Sequence, residues 1–160
     1  IGVISDTHIP WKAKGLPYDL IESLKGVDMI IHAGDITRDY VIYELEEVAP
    51  VVAVAGNNDD EFIRALYGIK RIINIEDCTI GITHGHFSGR RALDCAASMF
   101  ANDNVNCVVF GHSHAPFNTT INGILYFNPG SPTDKRWQKY FTYGKLYING
   151  NDIRGEIKIL

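Results

Sequence analysis

Residues 105–116 read VNCVVFGHSHAP, an apolar run that stops at a glycine and then offers two histidines two positions apart. Val105 to Phe110 has the length and β-branched content of a buried strand. Clustered imidazoles repel one another when protonated and are seldom needed for packing, so His112 and His114 point to a ligand site at the strand's end.

Four other apolar runs stop in the same manner. Ile1–Ser5 ends in Asp6-Thr7-His8, and Met29–Ala33 in Gly34-Asp35. Val51–Ala55 ends in Gly56-Asn57-Asn58-Asp59, and Thr79–Thr83 in His84-Gly85-His86. Each piece alone has an ordinary explanation. Asp and Asn cap helices and turns, Gly accepts positive φ, and a histidine such as His32 within an apolar strand is commonly a hydrogen-bonded core residue. Together they are hard to produce by packing, because ligand sites of open α/β sheets lie beyond the carboxyl ends of the strands. Five strand ends of this composition converge on one place.

The rest of the chain supports such a sheet. A helix is predicted to open at Gly15-Leu16-Pro17 with Leu20, Ile21 and Leu24 on one face, and another over Asp39–Val48. A short helix is expected over Asp60–Tyr67, and a fourth between Ser88 and Ala101. Strand, helix and strand alternate through the first half, which argues for a largely parallel sheet. The second half turns to hairpins. Phe117–Ile121 and Ile124–Phe127 flank Asn122-Gly123, while Phe141–Ile148 and Ile153–Ile159 flank Asn149-Gly150. Two sheets face to face under outer helices are expected, with residues 1–160 as one domain.

Composition narrows the function classes. Hydrophobic residues at 46% and charged ones at 21% suit a globular chain rather than a disordered one. The net charge of −4 argues against nucleic acid or a membrane surface as partner. Cys78, Cys95 and Cys107 form no CxxC pair, so neither a disulfide framework nor a thiolate zinc site is expected. With no span-length apolar run or signal peptide visible, a cytoplasmic location is expected. An initiator Met and another residue are taken to precede Ile1.

Two aspartates, an asparagine carbonyl and up to four histidines exceed what one ion takes from protein, so the ligand types predict two metals. The oxygen and nitrogen donors suit manganese, iron, zinc, cobalt or nickel. Two divalent ions about 3.5–4 Å apart form a clamp for in-line displacement at phosphorus.

The ordered segments Asp6-Thr7-His8, Gly34-Asp35, Gly56-Asn57, His84-Gly85-His86 and Gly111-His112-Ser113-His114 resemble the motif series of the calcineurin-like metallophosphoesterase superfamily. The short length, and the turn Asn128-Pro129-Gly130-Ser131, are similar to the small YfcE-like phosphodiesterase branch, which also contains the retromer subunit Vps29. The resemblance implies a four-layer αββα sandwich of two mixed sheets. It implies a metal-dependent phosphoesterase, most closely a phosphodiesterase, in which a water or hydroxide bridging two divalent ions, manganese first among them, attacks a small phosphoester. By that resemblance one ion is held by Asp6, His8, Asp35 and His114. The other is held by Asp35, Asn57, His84 and His112, with Asp35 bridging. His86 is implied to touch the substrate phosphate, donate a proton or bind metal.

One position departs from the pattern. Asn58 stands where most of the superfamily has a catalytic histidine, and an amide is no general acid at neutral pH. Asp59 is expected to support the metal loop. Arg38, three residues beyond Asp35, is a candidate contact for the substrate phosphate. The rival class is a scaffold that kept the fold and lost the chemistry, as a retromer subunit would. Retention of every expected ligand position favours catalysis. Hairpin edges in the second half offer a surface for self-association.

Overall fold

The computed structural model describes the backbone of residues 1–160 and every side chain except that of Ser88. Ten strands form two five-stranded sheets. The first sheet is built around β1 (Gly2–Ile4), β2 (Ile30–His32) and β3 (Val51–Ala53), all parallel. The hairpin β9 (Thr142–Asn149) and β10 (Asp152–Ile159) completes it, with β9 antiparallel to β1. The second sheet has the order β4 (Lys70–Ile75), β5 (Cys78–Thr83), β6 (Cys107–Val109), β8 (Ile124–Asn128), β7 (Phe117–Ile121). Strands β5, β6 and β8 are parallel and the edges antiparallel.

The alternation of side chains along β1 and β2 explains the layering. Val3 and Ile31 point to one face and meet Ile80, Ile82, Cys107, Val109 and Phe127 of the second sheet. Their neighbours Ile4 and Ile30 point the other way. There they pack on α1 (Tyr18–Leu24), α2 (Tyr40–Glu46) and α3 (Glu61–Tyr67) through Leu20, Leu24, Val41, Leu45 and Ile63. On the far face of the second sheet, Val108 and Tyr126 pack on Ala92, Ala96 and Phe100 of α4 (Ala92–Met99) and its end. Helices, sheet, sheet and helix make the four-layer αββα sandwich of two mixed sheets.

Two local expectations differ in the structure. The fourth helix begins at Ala92 rather than near Ser88, because a 3-10 turn over Phe87–Gly89 precedes it and Gly89 has a φ of 63°. The last hairpin turns on Gly150-Asn151, since Asn149 pairs with Asp152 and Ile148 with Ile153. That register keeps Ile148 and Ile153 together against the inter-sheet core. The Asn122-Gly123 turn is as the sequence reads, both residues having positive φ. Among the described residues, no helix is long and apolar enough to cross a membrane.

Candidate metal centre

The strand ends β1, β2, β5 and β6 deliver their polar residues to a single edge of the sandwich. Asp6, His8, Asp35 and His84 are buried, as is His114. Five of the residues in these loops hold left-handed backbone conformations: Asp6, His8, Asp35, His112 and His114 have φ between 47° and 67°. Such geometry costs a non-glycine residue on the order of 1–3 kcal/mol and clusters at functional sites. Here it turns each side chain back over the sheet edge.

The side chains meet tightly. Asp6, His8 and His114 offer ligand atoms within 4.8 Å of one another, and so do Asp6, Asp35 and His84. Asp35 Oδ2 lies 3.4 Å from His8 Nε2 and 3.2 Å from His84 Nε2. Asp6 Oδ1 lies 3.3 Å from His114 Nε2, and His8 Nε2 faces His114 Nε2 at 3.3 Å. The ring of His84 is 5.3 Å from that of His112 and 5.4 Å from that of His86. Asp6 and Asp35 each touch histidines from both sheets.

The donor set fits divalent cations on hydrogen-bonding grounds. His84 Nδ1 lies 2.8 Å from the Ala33 carbonyl and His114 Nδ1 lies 2.5 Å from that of Asp134. A carbonyl only accepts, so these Nδ1 atoms carry protons, and each Nε2 is the position beside the carboxylates that takes either a second proton or a cation. Such facing acceptors need positive charge between them. Consistent with that, Asp6 Oδ1 and His84 Nε2 are buried without a hydrogen-bond partner. Burial alone lowers the basicity of His84, but the charges of Asp6 and Asp35 outweigh it and push its pKa up to about 9. Asp35 is driven up by burial, yet His84 and two donors from Asn58 hold it well below the usual carboxylate range.

Surrounding groups fix the loops. The Asp59 carboxylate accepts from the Thr37 and Gly56 amides at 2.6 and 2.7 Å, tying the Asp35 loop to the Gly56 loop. His32 is fully buried. Its Nδ1 accepts from the Gly34 amide at 3.3 Å, so its Nε2 donates to Thr7 Oγ1 at 3.1 Å. Burial and the His84 charge depress its pKa to about 3, which keeps it neutral. The turn after β8 buttresses the first loop: Ser131 Oγ donates to the Asp6 carbonyl at 2.8 Å, and Thr133 Oγ1 to that of Thr7 at 2.6 Å. Asp134, whose carbonyl orients His114, carries no motif signal, because a main-chain contact leaves no trace in residue type.

The remaining predicted residues sit at the rim. Asn57 and Asn58 are exposed. Asn58 donates to both Asp35 oxygens, whereas no hydrogen bond is described for the Asn57 side chain. The His112 amide donates to Asp6 Oδ2 at 3.1 Å. His86 is partly buried, 4.1 Å ring to ring from Phe87, and burial with the charges of His84 and His112 lowers its pKa to about 4. Arg38 stands at the mouth, 5.9 Å above the Trp11 ring, and donates to the Thr37 carbonyl. A cavity of about 580 Å³ lies instead at the opposite edge between Ile1, Met29, Pro50 and Leu146, away from these groups.

The fold and this centre define a metal-dependent phosphoesterase. Residues 1–151 match the calcineurin-like phosphoesterase superfamily domain, and the chain belongs to that superfamily. A protein named "Probable metallophosphoesterase" from Methanothermobacter thermautotrophicus is 36% identical over 140 residues, covering 85% of this chain and 78% of its own length. A phosphodiesterase of Methanocaldococcus jannaschii is 29% identical over 144 residues, covering 81% and 82%. The crystal structure of Vps29 from Chaetomium thermophilum superposes with a TM-score of 0.82 over 99% of this chain and 95% of that one. At 17% identity that is a likeness of fold.

Proposed function

We propose that the chain hydrolyses phosphodiesters, using two divalent ions, manganese first among them. Asp6, His8, Asp35 and His114 hold one ion and Asp35, Asn57, His84 and His112 the other. The observation that carries this reading is the pair of buried, unpartnered atoms Asp6 Oδ1 and His84 Nε2, flanked by Asp35 Oδ2. Such ions, when bound, lower the pKa of water and neutralise charge on the phosphoryl oxygens.

The protein's own groups supply order. Ala33 and Asp134 fix the tautomers of His84 and His114, so each arrives with a lone pair aimed inward. Asn58 holds Asp35 rather than offering a proton. His86, beside His84 and His112, and Arg38 at the rim are the groups placed to meet the substrate phosphate. With an amide in the acid's position, the enzyme favours esters whose leaving group departs unprotonated, such as aryl diesters. The partner is therefore a small phosphoester, and the protein acts in the cytoplasm.

Hydrolysis of bis-p-nitrophenyl phosphate by metal-stripped protein, before and after addition of manganese, tests the proposal. Restoration of turnover by manganese supports it. Protein that binds two equivalents of metal and still cleaves no diester would leave only a binding scaffold.

A further inference from the structure

Helix α3 follows the Gly56 loop, and one of its side chains turns back to that loop. Asp60 caps the helix, its carboxylate accepting from the Ile63 amide at 3.0 Å. Arg64 stands one turn further on, and helical side chains lean toward the N-terminus of their helix. Its Nη2 donates to the Gly56 carbonyl at 3.5 Å. That contact is long, and a guanidinium has five N–H donors, so it tethers the group without using up its capacity. The partners that spacing offers are not taken. Asp60 and Glu61 lie four and three residues before Arg64, the separations at which a helix brings opposite charges together. Among the described residues Arg91 and Arg136 pair with carboxylates at 2.9 and 3.0 Å, whereas Arg64 has none within 4 Å. An exposed guanidinium beside two acids is turned instead toward the main chain of a metal loop.

Gly56 links this side chain to the metal centre. A Cβ on Gly56 would collide with Asp35 Oδ1, so the main chain here lies directly against the carboxylate that touches histidines of both sheets. Two residues on, Asn58 donates to both oxygens of the same carboxylate. Followed through the Gly56 carbonyl and Cα, the guanidinium is no more than about 10 Å from Asp35. Its charge also reaches His86, where it adds to burial and to the His84 and His112 charges that lower the pKa of that ring. A planar fork of N–H donors matches the oxygens of a phosphoryl group, and its charge is permanent.

We propose that Arg64 is a substrate-binding residue, reaching over the Gly56 loop to a non-bridging oxygen of the phosphoester held at the metal centre. It supplies a fixed cation beside the loop of Asn58, a residue that can offer the phosphate hydrogen bonds but no charge. This rests on the phosphoesterase reading above and adds a binding group to that site.

Calorimetric titration of inorganic phosphate into the manganese-loaded protein, with equal free manganese in cell and syringe, tests it. Arg64→Ala is expected to bind phosphate about tenfold more weakly than the wild type, and Arg64→Lys to recover part of that loss through charge alone. Manganese affinity, titrated separately, stays at the wild-type value in both. Arg154 lies 4.9 Å above the ring of Tyr147, which lines the cavity at the opposite edge, and Arg154→Ala leaves phosphate affinity unchanged. Wild-type phosphate affinity in Arg64→Ala would overturn the proposal. So would an equal loss in Arg154→Ala, or a fall in manganese affinity large enough to account for the loss in Arg64→Ala. Failure of phosphate-binding wild-type protein to cleave bis-p-nitrophenyl phosphate would count against the phosphoesterase reading alone, since the binding series needs no turnover.

Discussion

Asn58 grips both oxygens of Asp35: its backbone N–H donates to Oδ1 at 2.8 Å and its side-chain amide to Oδ2 at 2.7 Å. Asp35 Oδ2 also lies 3.2 Å from His84 Nε2 and 3.4 Å from His8 Nε2, so the orientation of one exposed side chain controls a carboxylate that faces both sheets.

Removing that clamp will weaken the centre without destroying it. Asn58→Ala deletes the side-chain donor and keeps the main-chain one. A hydrogen bond to a carboxylate contributes about 1.5–3 kcal/mol, and loss of such a partner lowers metal affinity on the order of tenfold. Calorimetric manganese titration reads this directly. Asn58→His introduces a proton donor at the rim, so log kcat/KM will fall less steeply with leaving-group pKa than in the wild type. Identical slopes for the two proteins would show that the position plays no part in leaving-group departure.

Metal uptake will be proton-coupled through His84. Without a cation its pKa is raised to about 9, so the proton stabilises the metal-free fold. That contribution is complete below the ordinary value of 6.5, and it is lost as the pH rises through about 9. The thermal midpoint of chelator-treated protein will therefore drop between pH 7 and about 9.5. Below about pH 9 a cation must displace that proton, so apparent affinity weakens by up to about tenfold per unit of acidification. Calorimetry in buffers of differing ionisation enthalpy will register the released proton.

His32 positions two ligand loops by bonding Gly34 on one side and Thr7 on the other. His32→Leu keeps the volume and strands both partners in the core. Each unpaired group costs about 1–3 kcal/mol, so a loss of about 2–6 kcal/mol is expected in urea unfolding. An unchanged midpoint would show that the contact contributes nothing net.

Gly34 is required by conformation and by space. Its φ is 97°, and a Cβ there would sit 2.7 Å from His84 Nδ1 and 2.9 Å from the Gly56 amide nitrogen. Gly34→Ala will displace Asp35 or His84 and abolish binding of two manganese ions, as seen by metal analysis after gel filtration. Retention of two equivalents would mean that the loop relaxes at no expense to the site.

Much of this architecture is legible in the residues themselves. Strand ends at Asp6, Asp35, His84 and His112 announce themselves by type, and Asn122-Gly123 dictates its own turn. What is not legible is carried by the main chain or by register. The Asp134 carbonyl that orients His114 could belong to any residue, and the two-residue turn at Gly150-Asn151 follows from Ile148 meeting Ile153. The grip of Asn58 on Asp35 depends on a loop conformation that no spacing rule encodes.

Each sheet supplies only part of the coordinating shell: Asp6, His8 and Asp35 come from one, His84, His112 and His114 from the other. Ions held between them would work as rivets through the seam between the two halves of the molecule. Metal content would then bear on how firmly the two layers are joined at this rim, a mechanical role beside the chemical one.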